Sequence, residues 1–187
     1  MLLALQWSGI GTTLAGMTIS GGATWINVYS SGNTKIWWKI AGGSEPTSYN
    51  FTHTGGAAGS IVFMVAVQDP LSAPPTVIAQ GHTNNTQAFT PSLTPSGESD
   101  LDIRWVTGSD RTDISPPPIF WTPPAGYTSR VEARVTDEMS AILATKQLSS
   151  RAPTGTQIFT ANTPLFSLGE FTIGVGSSSF SGWGMPI

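Results

Sequence analysis

The chain has no cysteine, only two histidines, few charges and no long apolar run, and each shortage removes a class of function. Without cysteine there is no disulfide, no thiolate nucleophile and no cysteine-based metal site. Such a chain fits synthesis in a cytoplasm, or an existence in both redox states. Charged residues make up 10% of the sequence, against about 25% in ordinary globular proteins. The eight basic residues (Lys35, Lys39, Arg104, Arg111, Arg130, Arg134, Lys146 and Arg151) form no run that could neutralise consecutive phosphates. With a net charge of −3 and a pI near 5.2, no nucleic-acid partner is expected. The longest apolar stretch, Ile61 to Val67, falls far short of the roughly 20 residues of a membrane helix, so no membrane partner is expected either. Met1 to Trp7 is too short for the apolar region of a signal peptide and has no basic residues before it.

What is present is material for a core and for turns. Hydrophobic residues reach 39%, aromatics 10%, and there are 21 glycines and 14 prolines. That excludes disorder as the reason for the low charge. Period-two alternation dominates. In Asp100 to Val106, Leu101, Ile103 and Trp105 point inward, and Asp100, Asp102 and Arg104 point to water. Arg130 to Val135 repeats the scheme with Val131, Ala133 and Val135 inward, and Phe171, Ile173 and Val175 do the same near the C-terminus. Lys35 to Ile40 puts Ile36, Trp38 and Ile40 on one face and Trp37 and Lys39 on the other. Ser60 to Val67 is apolar on both faces and reads as a central strand. Further strands are expected at Leu2–Trp7, Thr24–Tyr29, Ser48–Thr54, Thr86–Thr90, Ser140–Leu148 and Gln157–Ala161. Ser140–Leu148 has helical propensity, yet its position just after a strand and a short turn favours a hairpin.

Glycine and proline clusters punctuate these runs at short intervals. Ile114 to Gly126 holds five prolines and cannot be a central strand. It is expected to be an edge or crossing loop pinned by Phe120 and Trp121. Together the features predict an all-β, antiparallel β-sandwich of jelly-roll type. One domain is expected over residues 1–176, followed by a docking tail, 177–187, that carries Phe180 and Trp183.

The order of several short motifs carries a resemblance. Trp25 and Ile36-Trp-Trp-Lys-Ile-Ala41 come first, then Glu45-Pro-Thr-Ser-Tyr-Asn-Phe51. Gly59 to Val67 leads into Gln68-Asp69-Pro70. Leu93-Thr-Pro95, Asp100 to Trp105 and Trp121-Thr-Pro-Pro-Ala-Gly-Tyr127-Thr-Ser-Arg130 complete the series. It resembles β-sandwich domains of structural and tail-associated proteins of tailed bacteriophages, over roughly Thr24 to Gly176. The resemblance implies a fold and a setting, the virion, with synthesis in the host cytoplasm; it implies no catalytic site. Gln68 departs from the usual residue at its position. The strand Leu2–Trp7 also opens the series directly, where similar domains have another strand first. That missing edge is expected to be absent or supplied by a neighbouring subunit.

A Ser-His-Asp hydrolase would have to use His53 or His82, and no Gly-x-Ser-x-Gly turn accompanies them. Asp100 with Asp102, and Asp110 with Asp113, could suggest a glycosidase pair or an oxygen-ligated calcium site. A solvated sheet face is the simpler account, since nothing apolar evidently desolvates either pair. No catalytic residue, cofactor or metal is therefore expected. The sequons Asn50-Phe51-Thr52 and Asn84-Asn85-Thr86 carry little weight without a signal peptide. The seven tryptophans are the most suggestive material. Trp38 and Trp105 belong to the core. Trp37, Phe120, Trp121, Phe180 and Trp183 are the candidates for interface or glycan contact. The leading expectation is a non-enzymatic virion structural protein, a capsid decoration, head fibre or tail fibre component, that contacts copies of itself and other virion proteins. The alternative is a carbohydrate-binding adhesin module for a host surface glycan.

Overall fold

A computed structural model describes residues 1–8, 17–22, 24–52, 59–68, 70, 73–82, 85–97, 100–109, 118–135 and 139–176. Among them there is no helix. The strands are β1 (Leu2–Ser8), β2 (Thr18–Ser20), β3 (Ile26–Ser31), β4 (Thr34–Lys39), β5 (Asn50–Thr52), β6 (Ser60–Ala66) and β7 (Thr76–His82). They continue with β8 (Asn85–Thr90), β9 (Leu101–Ser109), β10 (Trp121–Thr122), β11 (Thr128–Val135), β12 (Met139–Gln147), β13 (Gln157–Leu165) and β14 (Ser167–Val175). Every pairing is antiparallel.

Two sheets face each other across the main core. One has the order β3-β4-β1-β6 and the other β11-β12-β9-β14-β7. The inward residues of both meet as alternation requires: Leu3, Leu5 and Trp7 of β1, Ile36 and Trp38 of β4, and Ile61 and Phe63 of β6 on one side. Ile103 and Trp105 of β9, Ala141 and Leu143 of β12, and Phe171, Ile173 and Val175 of β14 lie on the other. Trp105 stacks on Phe171 with ring centroids 4.8 Å apart, and Tyr29 meets Phe171 edge-on at 5.4 Å. The hairpin expected around residue 140 is present as β11–β12.

Each main sheet carries a smaller sheet on its outer face, and these two caps were not foreseen. β10-β13-β8 lies on the five-stranded sheet and closes a second core of Val106, Ile142, Ala144 and Leu168 against Phe159, Ala161 and Trp121. β2-β5 lies on the four-stranded sheet and buries Ala4, Met17 and Trp37, with Ile19, Trp25 and Phe51 packed around them. The result is an antiparallel sandwich with a cap on either side. The strand orders establish the sandwich and not a jelly-roll order.

Several expectations change. Asp100, Asp102 and Arg104 do not face water: all are buried, because the β10-β13-β8 cap covers their side of β9. Ser60 to Val67 is not a central strand; among the described residues β6 ends its sheet, with Ile61 and Phe63 in the core and Met64 exposed. Ile40 lies just beyond β4 and is exposed rather than inward, and Val131, also expected inward, is exposed where the register of the edge strand β11 shifts. β1 is paired on both sides, by β4 and β6, so no vacant edge adjoins it.

Candidate functional site

The five residues nominated from sequence fare differently. Trp37 is 6% exposed, not open, because β4 is covered on both faces. Trp121 is 7% exposed; its indole N–H donates to the Ser140 hydroxyl at 3.0 Å, and it anchors β10 onto the five-stranded sheet. Both are corrections to the reading that placed them at the surface. Phe120 is exposed, at 49%, and so does not pin its loop. The Arg134 guanidinium lies 3.9 Å from its ring centroid, a cation–π contact. That loop is held instead by Asn162, which bonds the Phe120 amide at 2.7 Å and the Pro118 carbonyl at 3.0 Å. Phe180 and Trp183, together with His53, Asp110, Asp113 and the tail, lie outside the described residues, as does the His82 side chain.

Two polar clusters were missed from sequence. The first surrounds Lys39, at the end of β4. Its ammonium is 2.5 Å from Glu45 Oε2 and sits 4.8 Å and 4.7 Å from the ring centroids of Trp25 and Tyr49. The Tyr49 hydroxyl donates to the same carboxylate oxygen, and the Gly42 amide donates to the other at 2.7 Å. Bonds from Lys39, Tyr49 and Gly42 hold the Glu45 carboxyl down at about 2. Burial draws the Lys39 ammonium downward, but its bonds to Glu45 and Tyr49 outweigh that and raise it. Gly22, at φ 70°, closes the cage; a β carbon there would stand 2.5 Å from Lys39 Nζ. The Lys39 charge is thus spent internally. A groove of about 390 Å³ borders the cluster, lined in part by Thr18, Ser20, Gly21, Thr24 and Trp25. Three hydroxyls beside a half-buried indole could receive a small polar ring.

The second cluster lies between the five-stranded sheet and its β10-β13-β8 cap. Arg104 Nε and Nη2 reach the two oxygens of Asp102, each at 2.8 Å, in a bidentate pair whose members are both fully buried. Nη1 donates to Thr172 Oγ1 at 2.8 Å and to the Pro91 carbonyl at 2.5 Å, and Nη2 donates to Thr154 Oγ1 at 2.6 Å. The Tyr127 hydroxyl donates to Asp102 Oδ2 at 2.6 Å. Burial and that bond push the Tyr127 phenol upward. Glu170, also buried, accepts the Phe89 amide at 2.6 Å. Asp100 accepts the amides of Ser96 and Gly97 at 2.7 Å and 2.9 Å and shapes the turn before β9. These side chains bolt one sheet to another, and their hydrogen-bonding capacity is used in doing so.

The remaining candidate surface is apolar. Ile26, Met64, Phe120, Val131, Ile158 and Phe166 are large hydrophobics left exposed. Ile26 stands on β3, Met64 on β6 and Val131 on β11, all of which are sheet edges, and Phe120 adjoins the edge strand β10. Among the described residues no three His, Asp or Glu side chains group as metal ligands, and no helix is long and apolar enough to cross a membrane. Comparison of the chain with protein-family models, with curated proteins and with solved structures finds no match, so the use of these surfaces is argued from their geometry.

Proposed function

We propose that the chain is a non-enzymatic structural subunit of a tailed-bacteriophage virion, a capsid decoration, head fibre or tail fibre component that works through subunit contacts. The observation that carries this reading is the siting of exposed large hydrophobics on strand edges, at Ile26, Met64 and Val131. Edge backbone and apolar side chains together favour association with other strands. The charges support it from the other side: buried Arg104 and Asp102 are engaged in holding layers together, and buried Lys39 is paired with half-buried Glu45. The virion setting comes from the motif series between Thr24 and Gly176, and the jelly-roll order belongs to the same proposal. Sedimentation of the full chain, with particle incorporation after deletion of Gly176 to Ile187, tests it. An oligomer and impaired incorporation are expected; a monomer that enters particles equally well without the tail would count against it.

A second reading, a glycan-binding adhesin, is supported by the groove beside Trp25, which the largely buried Trp37 also lines, and not by Trp121, which is covered elsewhere. Trp25→Ala should then abolish signals on a glycan array. An array with no bound glycan removes this reading.

A further inference from the structure

We infer that β6 is the strand through which two copies of the chain join, antiparallel, into one continuous sheet; this rests on the assembly role proposed above and names its contact. Half of the β6 backbone groups point at β1 and half point away from it. Met1 and Val67 exchange backbone hydrogen bonds of 2.8 Å and 2.9 Å. Antiparallel pairing alternates such pairs every second residue. In the β1–β6 register the amides and carbonyls of Ile61, Phe63 and Val65 therefore face β1. Those of Val62, Met64 and Ala66 face away from it, and among the described residues no strand pairs with them.

The other edges of this molecule carry a device that discourages pairing, except β7, which has no register shift but ends in Gly81 and His82. β3 has a register shift between Asn27 and Tyr29, and the Asn27 side chain donates to the Tyr29 carbonyl at 2.9 Å. β11 has a shift between Ser129 and Val131 and carries Arg130, Glu132 and Arg134. On β8 the Phe89 amide is taken by Glu170 and its carbonyl by the Gln80 side chain of β7. β2, β5 and β10 are three residues long or shorter. β6 has seven residues with no charge, no proline and no register shift. An edge of that kind is open to strand addition.

The occupant follows from the pattern of β6 itself. An antiparallel partner centred on Met64 sets Met64 against its own counterpart, Val62 against Ala66, and Ser60 against Gln68. The outward amides and carbonyls of Val62, Met64 and Ala66 then meet the same groups of the second copy in closed hydrogen-bonded pairs. Apolar residues meet apolar ones, polar meets polar, and no like charges oppose. A two-fold axis makes such a patch self-complementary. Because Ile61 and Phe63 lie in the core, pairing there extends the four-stranded sheet into one of eight strands.

The absence of cysteine supplies a direct test, since Met64→Cys would be the sole thiol. Hydrogen-bonded antiparallel pairs place Cα atoms about 5.5 Å apart, inside the range of roughly 4.4–6.8 Å that a disulfide spans. Met64→Cys should form a covalent dimer on oxidation, and Ile158→Cys, exposed on the outer cap, should not. Met64→Lys, which sets two ammoniums opposite each other, should halve the sedimenting mass with an unchanged far-ultraviolet spectrum, and Met64→Leu should keep it. An oligomeric wild type whose mass ignores Met64→Lys and whose Met64→Cys form does not cross-link overturns the β6 contact and leaves the assembly role standing. A wild type monomeric alone also overturns self-pairing. Whether it then gains mass with other virion proteins decides the assembly role separately, and loss of that gain in Met64→Lys would assign β6 to a different strand.

Discussion

Truncating Arg104 would leave the Asp102 carboxylate buried without its guanidinium partner, bonded by the Tyr127 hydroxyl at 2.6 Å. Breaking a buried pair from one side typically costs about 3–5 kcal/mol. Arg104→Ala should lower the unfolding free energy in urea by that amount, and a loss below about 1 kcal/mol would show that the network is slack. Glu45 makes a prediction with a pH signature. Its folded pKa lies at about 2, below the ordinary glutamate value of 4.5. A depressed carboxyl contributes stability that is present above its unfolded pKa and is lost as pH falls through the folded one. Between about pH 4.5 and 2, therefore, Tm should fall, and Glu45→Gln should fall less steeply across the same window. Parallel curves for the two proteins would remove Glu45 as the cause.

At the scale of elements, the sheets approach each other most closely where side chains are missing. A β carbon on Gly108 of β9 would stand 2.5 Å from Leu165 Cδ1 and 2.9 Å from Trp121 Cζ2. Gly108→Ala should thus overpack the cap and cost about 1–3 kcal/mol in chemical denaturation. The same covering sheet explains what the sequence could and could not disclose. Alternation in β9 and β14 correctly sorted Ile103, Trp105, Phe171 and Ile173 to one face, whereas on β11 only Ala133 and Val135 pack on that core and Val131 is exposed. It says which residues share a face and nothing about what lies over the opposite one. Asp102 and Arg104 looked like a solvated face because the strands that bury them, β8 and β13, are remote in sequence. Trp37 was misplaced for the same reason, its cover being β2 and β5. β7 escaped notice because Thr76 to His82 mixes Gly81 and Gln80 into a weak alternation. The Lys39 cage did leave a trace in Glu45-Pro-Thr-Ser-Tyr49, whose acid and phenol return to the lysine six and ten residues before them.

For the molecule as a whole, self-pairing through β6 couples folding to concentration. Whatever binds the native state alone stabilises it by mass action. The Tm of the wild type should therefore rise as protein concentration increases over a hundredfold range in calorimetry, while that of Met64→Lys should stay flat. A flat wild type would speak against any native-state association.

The placement of β14 carries a consequence for synthesis. It lies between β9 and β7, and it joins them only through Ser167 to Val175. On a translating ribosome, β9 and β7 emerge first and have no strand to bridge them until Val175 has cleared the exit tunnel. Pairings so distant in sequence close slowly, on the order of milliseconds to seconds. The nascent chain must therefore keep a half-built sheet, and the neutral strand β6 with it, from meeting other chains until nearly all of the described fold has been translated.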